Sequence, residues 1–176
     1  PVVPFEEITA HYDPKTTYFF AAFVYTELNR LRTRLYHAAK EKGFLPASYI
    51  SSQAFVWRNV KLGEHNFIFE NNTIQPFVEI GDNNIIWTGK HIGHHSVLKN
   101  NIFISSHVVI SGFCYVGDNS FIGVNTSVSN NTKIAEDNWI GMNAVISKNT
   151  NPNELFKSQS NEAAKINERR FLRVKL

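Results

Sequence analysis

Cysteine is nearly absent from this sequence: Cys114 is the only one in 176 residues. A lone cysteine excludes an internal disulfide and suits a reducing compartment, so a cytoplasmic location is expected. Long apolar runs are missing too. The best candidate, Tyr18 to Tyr25, is strand-sized, far short of the roughly 20 residues a transmembrane helix needs. No signal-peptide pattern precedes it, and no membrane partner is expected. Excess charge is small: 18 Lys and Arg against 15 Asp and Glu leave a net +3. That balance suits an anionic small ligand but is too weak and dispersed to argue for nucleic acid. The chain begins at Pro1 without an initiating methionine, so a native N-terminal segment is expected to precede it.

What the sequence does have is a six-residue beat. From Ile50 to Ile146 every sixth residue is Ile, Val or Leu, with no insertion and no slipped register. An amphipathic helix would repeat at 3.6 residues, whereas a strict period of six is that of a β-helix solenoid. The residue two places before each beat is often small or β-branched, as at Ala54, Val78, Ser96, Cys114 and Thr126. Strand alternation turns these inward as well, which makes Cys114 a core residue and not a nucleophile. Asparagine pairs such as Asn83-Asn84 and Asn130-Asn131 punctuate the repeat, and Asn tolerates the left-handed turns that corners require.

The register resembles the hexapeptide-repeat family, and the wider chain resembles its sialic-acid O-acetyltransferase-like and nucleotide-sugar N-acetyltransferase branch. The motifs that carry the resemblance are Ile92-Gly93-His94-His95-Ser96, Ile122-Gly123-Val124-Asn125 and Ile140-Gly141-Met142-Asn143-Ala144. The resemblance implies a mainly β fold, a left-handed parallel β-helix. It also implies homotrimers with active sites at subunit interfaces, and acetyl-CoA or another acyl-CoA as co-substrate with no metal.

Three segments are expected. Residues 1–49 read as a partial Rossmann-like α/β piece. In it Tyr18–Tyr25 forms a strand, Thr26 caps a helix bearing Leu28, Leu31 and Leu35, and a short strand follows near Phe44. It either holds the nucleotide of the acceptor, as the resemblance implies, or caps the solenoid. Residues 50–151 are the β-helix. Residues 152–176 read as a C-terminal helix or tail, with the helix over 153–170. It is either a solvated cap, or its cations, Lys165 among them, meet the phosphates of coenzyme A.

Counting by eighteen, one coil, places residues about 4.8 Å apart in a stack. One outer face then carries Tyr49, Phe67, Ile85, Phe103, Phe121 and Trp139. Six large apolar groups are too contiguous to leave in water, so they are expected in a trimer interface or beneath the N-terminal piece.

The same count stacks His94 on Gly112. Thioester acyl transfer needs a base near neutral pKa and fixed donors for the developing oxyanion. His94 stands where the resembling branch has its base, and the Gly112 N–H is the expected oxyanion donor. His95 fills the place of the Glu that orients the base in those relatives. A second stack, Gly89, His107, Asn125 and Asn143, either lines a groove for the acceptor or the pantetheine arm or is plain turn chemistry at a corner. Met142 stands where relatives often have Gly, at the passage of the coenzyme. The acceptor implied is a sugar or nucleotide sugar destined for a surface glycan. Two rivals remain at this stage. One is a γ-carbonic-anhydrase-like zinc enzyme, prompted by the clustered His91, His94, His95 and His107. The other is a non-catalytic scaffold.

Overall fold

The beat closes one coil every eighteen residues, and the backbone pairs accordingly. Phe103 sits in register with Phe121 and Ile104 with Ile122; His91 pairs with Val109 and Val97 with Tyr115 in the same way. All the pairings are parallel, and they generate three sheets of six, five and seven short strands. The computed structural model describes residues 2–158, 160–165 and 173. It is a parallel β-solenoid of mainly two-residue strands joined by corners.

Inside the prism the beat residues from Ile68 onward are sealed from solvent. Ile68, Ile74, Ile86, Ile92, Ile104, Ile110, Val116, Ile122, Ile134 and Ile140 form one continuous cluster with Cys114 and Val108. Corner backbones are left-handed at Asn71, Asn83, Asn101 and Asn131. In Asn71-Asn72 and Asn83-Asn84 the second Asn turns inward: Asn72 Nδ2 donates to the carbonyls of Phe69 and Trp87, both at 2.7 Å. These two pairs thus do two jobs, one Asn relieving φ and the other satisfying carbonyls.

Residues before the solenoid form helix α1 (Ile8–His11), strand β1 (Tyr18–Phe19), helix α2 (Arg30–Glu41) and strand β2 (Leu45–Pro46), with β1 and β2 paired in parallel. The expected strand over Tyr18–Tyr25 is therefore only its first two residues. The expected cap at Thr26 is also displaced. The helix N-cap is Asn29, and Glu27, Leu28 and Asn29 all take left-handed φ, between 51° and 66°. That costly turn seats apolar groups on the aromatic face. Tyr25 packs edge-on to Phe103 and Phe121, each at 5.0 Å, and Leu28 joins the same cluster. Ile85, Phe103 and Phe121 are buried as a result, so the N-terminal piece covers the middle of the ladder. Asn29 Nδ2 donates to the Ser120 carbonyl and Arg30 pairs with Asp137 at 2.5 Å, which ties the turn to the solenoid.

A buried polar knot completes this seam. His65 Nε2 accepts from the Ala21 N–H at 2.9 Å, and its Nδ1 lies 2.8 Å from Asn83 Oδ1. Both contacts are satisfied only by the neutral Nδ1–H tautomer. Arg32, also buried, donates to the carbonyls of His65 and Ala21. Burial first, and the Arg32 charge second, hold the His65 imidazole down at about 4. The unfolded chain takes up this proton near 6.5 and the folded chain only near 4. Stability from the neutral ring is therefore present above pH 6.5 and is lost as pH falls through that window, up to about 3 kcal/mol. Urea midpoints measured at pH 7 and pH 4.5 should fall further for the wild type than for His65→Gln, which keeps an acceptor but cannot titrate; equal falls would count against this knot.

The C-terminal expectation is corrected. Leu155–Phe156 is a strand, not part of a helix, and it pairs with Trp139–Ile140. Its partners lie sixteen residues back (155 minus 139) instead of eighteen, so the last coil is two residues short. Asn149 Oδ1 and Thr150 Oγ1 close the gap, accepting from the N–H groups of Lys133 and Ala135 at 2.8 and 2.9 Å. Residues 160–164 are irregular, and 166–170 lie outside the described residues.

Candidate active site

The corner after strand His91–Ile92 carries the expected base. Gly93 makes the corner possible: a Cβ there would lie 2.5 Å from the Gly112 nitrogen of the next coil. His94 follows, exposed, with its own N–H donating to Gln75 Oε1 at 3.0 Å. Its ring lies over Gly112, so closely that a Cβ on that glycine would stand 2.8 Å from Cε1 and 3.0 Å from Nε2. The stacking of His94 on Gly112 is thus a direct contact.

His94 Nδ1 lies 3.1 Å from His95 Nδ1. One ring must donate and the other accept; if His94 holds its proton on Nδ1, its Nε2 is left as a free base. His95 is fixed by stacking between Phe77 and Phe113, with ring centroids at 4.7 and 4.8 Å and interplanar angles of 25° and 17°. All three residues have left-handed φ, near 60°. For phenylalanine that backbone is costly. What it provides is a clamp on the imidazole that contacts His94. The two phenylalanines went unnoticed in the sequence, although counting eighteen either way from His95 finds both.

The expected oxyanion donor carries a hydrogen bond in this structure. The Gly112 N–H donates to Asn130 Oδ1 at 2.8 Å.

The other expected residues are gathered elsewhere. His107, Asn125 and Asn143 occupy the adjacent corner, all with left-handed φ near 56°. The His107 ring lies over Gly89, whose Cβ would fall 2.7 Å from Nδ1. Five residues of chain, roughly 16 Å at strand rise, separate Gly89 from His94. The two corners therefore flank one face of the prism and do not form one cluster. Met142 is 53 % exposed and borders a groove of about 470 Å³ floored by Tyr25, Phe103, Phe121 and Trp139. Lys165 is exposed and outside any regular element. Among the described residues, no three His, Cys, Asp or Glu side chains gather as metal ligands.

Comparison with known proteins adds to this geometry. The bacterial transferase hexapeptide (six repeats) family matches residues 59–94. Among curated proteins no sequence matches. A mutant of perosamine N-acetyltransferase from Caulobacter crescentus, solved with CoA and GDP-perosamine, superposes with a TM-score of 0.77 at 27% identity, over 81% of this chain. This chain spans 66% of that protein's length. The acetyltransferase domain of PglB from Neisseria gonorrhoeae, in complex with acetyl coenzyme A, superposes with a TM-score of 0.82 at 21% identity, over 90% of this chain and 76% of that one. At that identity the likeness is one of fold. In its repeat and its fold, the chain is similar to hexapeptide-repeat N-acetyltransferases, among them one solved with coenzyme A and a nucleotide sugar.

Proposed function

We propose that this protein transfers an acyl group, acetyl in the first instance, from coenzyme A to an amino or hydroxyl group of a nucleotide-linked sugar. The observation that carries the reading is the His94 corner. An exposed imidazole rests on a glycine, and a neighbouring ring, itself clamped by two phenylalanines, engages its Nδ1. The likeness to the perosamine enzyme supports the choice of co-substrate and acceptor.

In this reading His94 Nε2 takes the proton of the attacking amine or hydroxyl as the new bond forms at the thioester carbonyl carbon. The same nitrogen then returns the proton to the departing thiolate. His94 thereby serves as base and then acid within one ternary complex. No acyl-enzyme is required, since Cys114 is buried and its thiol is pushed up by burial. His95 acts through His94 as a positioning residue. His107, Asn125, Met142 and Asn143 are assigned to the coenzyme's path along the neighbouring corner, and Lys165 to its phosphates. The exposed Val109 and Val145 on the intervening face, 43% and 73% accessible, suit a homotrimer that walls the site with a second subunit; a monomer in sedimentation that retains full turnover would rule this out.

The test is an acyl-CoA screen read by thiol release, against nucleotide-activated amino sugars and sialic acid. Acceptor-dependent release is the expected result. A chain that releases no thiol with any pair sinks the reading.

A further inference from the structure

The column of residues that carries His94 also runs back toward the start of the solenoid. Resting on the acyl-transfer reading above, we propose that Arg58, two coils before the base in that column, binds the diphosphate of the nucleotide-linked sugar.

Arg58 is the only arginine in residues 50–151. Of the arginines before it, Arg30 and Arg34 are paired with Asp137 and Glu27, and Arg32 is buried. Arg58 is exposed, and among the described residues no oxygen accepts a hydrogen bond from it or pairs with its charge. A guanidinium stays charged at any working pH, and its planar fork of N–H donors fits phosphate oxygens.

The register between Arg58 and the base is set by the strands on one side and the corners on the other. Phe55 pairs with Thr73, and Thr73 with His91. At the corners, Asn59 Oδ1 accepts from the Phe77 N–H at 3.0 Å, and the Pro76 carbonyl accepts from the His95 N–H at 3.1 Å. Arg58, Pro76 and His94 therefore hold equivalent places on successive coils, and two coils measure about 9.6 Å at the strand spacing. The acceptor matches that span. A base within about 3 Å of the attacking atom, and a pyranose carrying that atom across the ring from its phosphate linkage, put the first phosphorus roughly 9 Å from the base at ordinary bond lengths. At the height of the sugar ring, half-buried Pro76 and exposed Phe77 offer apolar surface.

The later coils are given to the coenzyme. His107, Asn125, Met142 and Asn143, assigned above to its path, all follow His94 in the chain. The acceptor is left with the earlier coils, where Arg58 stands. The opposite end of the same column is Lys148, also exposed, which makes it the control for charge alone.

Titration calorimetry with GDP and with UDP tests the site without needing turnover. Coenzyme A carries a diphosphate too, so it is supplied at saturation to fill its own site first. The wild type should bind one of the two nucleotides, and Arg58→Gln should weaken that binding by about tenfold or more. Arg58→Lys, which keeps the charge but loses the fork, should fall between the two, and Lys148→Gln should bind as wild type. In steady state, Arg58→Gln should raise KM for the nucleotide sugar by the same factor and leave KM for acyl-CoA unchanged. Equal affinity in wild type and Arg58→Gln, an equal loss in Lys148→Gln, or a wild type that binds neither nucleotide overturns the inference and leaves the acyl-transfer reading standing. A chain that binds the nucleotide through Arg58 yet releases no thiol with any acyl-CoA overturns that reading instead.

Discussion

His94→Ala should lower turnover by roughly 10²–10⁴ while the denaturation midpoint stays close to wild type. The division follows from where the ring lies. His94 is exposed, and its side-chain contacts are the His95 ring, an edge-on Phe113 at 5.0 Å and the Gly112 backbone. None of these holds the prism together, whose core is the buried beat. Gly112→Ala probes the same base by displacement. Gly112 is not one of the left-handed glycines, so its backbone accepts alanine, but the new Cβ would meet the ring at 2.8–3.0 Å. The exposed imidazole must then shift, and misplacement on the scale of an ångström can cost up to about 10² in rate. Steady-state thiol release measures both variants. Near-normal turnover of His94→Ala would remove the base assignment.

How much of this was legible in the sequence depended on whether the six-residue beat reached the residue in question. Within the repeat, counting by eighteen places His94 on Gly112, stacks the aromatic face and aligns Gly89, His107, Asn125 and Asn143. All three placements appear in the structure, because parallel pairing in register leaves the chain no freedom to slip. The hydrogen bonds were less legible than the positions. Asn130 could be placed under Gly112 by arithmetic, but arithmetic does not show that its carbonyl takes the glycine's only donor. Outside the beat, local propensity misled. Thr26 has the chemistry of an N-cap. The helix nevertheless begins after Asn29, because seating Tyr25 and Leu28 on the ladder requires a left-handed turn that no local signal encodes. Leu155 and Phe156 carried helical spacing, yet a coil shortened by two residues draws them into the sheet. In both places tertiary burial outweighs intrinsic preference.

Lys90 is the residue that the repeat rule would least have placed where it is, and it carries the largest stability prediction. It occupies the inward position two before the beat, in a column with Ala54, Asn72, Val108, Thr126 and Ala144. The residue is 3% exposed, and among the described residues its Nζ reaches only the Thr88 carbonyl, at 3.5 Å. Burial pulls its ammonium down to about 6, with Glu70 opposing the shift. The unfolded chain holds this proton up to about 10.5 and the folded chain only to about 6. Folding therefore expels a proton throughout that interval. Stability is unaffected by the group above pH 10.5, falls by about 1.4 kcal/mol per unit as the pH drops below it, and levels off below 6. At pH 7 the cost is on the order of 4–5 kcal/mol. Lys90→Met keeps an unbranched stem of similar volume and removes the charge, at the loss of one long hydrogen bond. It should raise stability at pH 7 by about 3 kcal/mol, in keeping with other replacements of buried charge by apolar side chains. Denaturation midpoints of wild type and variant at pH 6, 8 and 10 are the check: the gap should be widest at pH 6 and nearly closed at pH 10. A gap that does not change with pH would mean that Lys90 keeps its proton in the fold, reaching water or an anion.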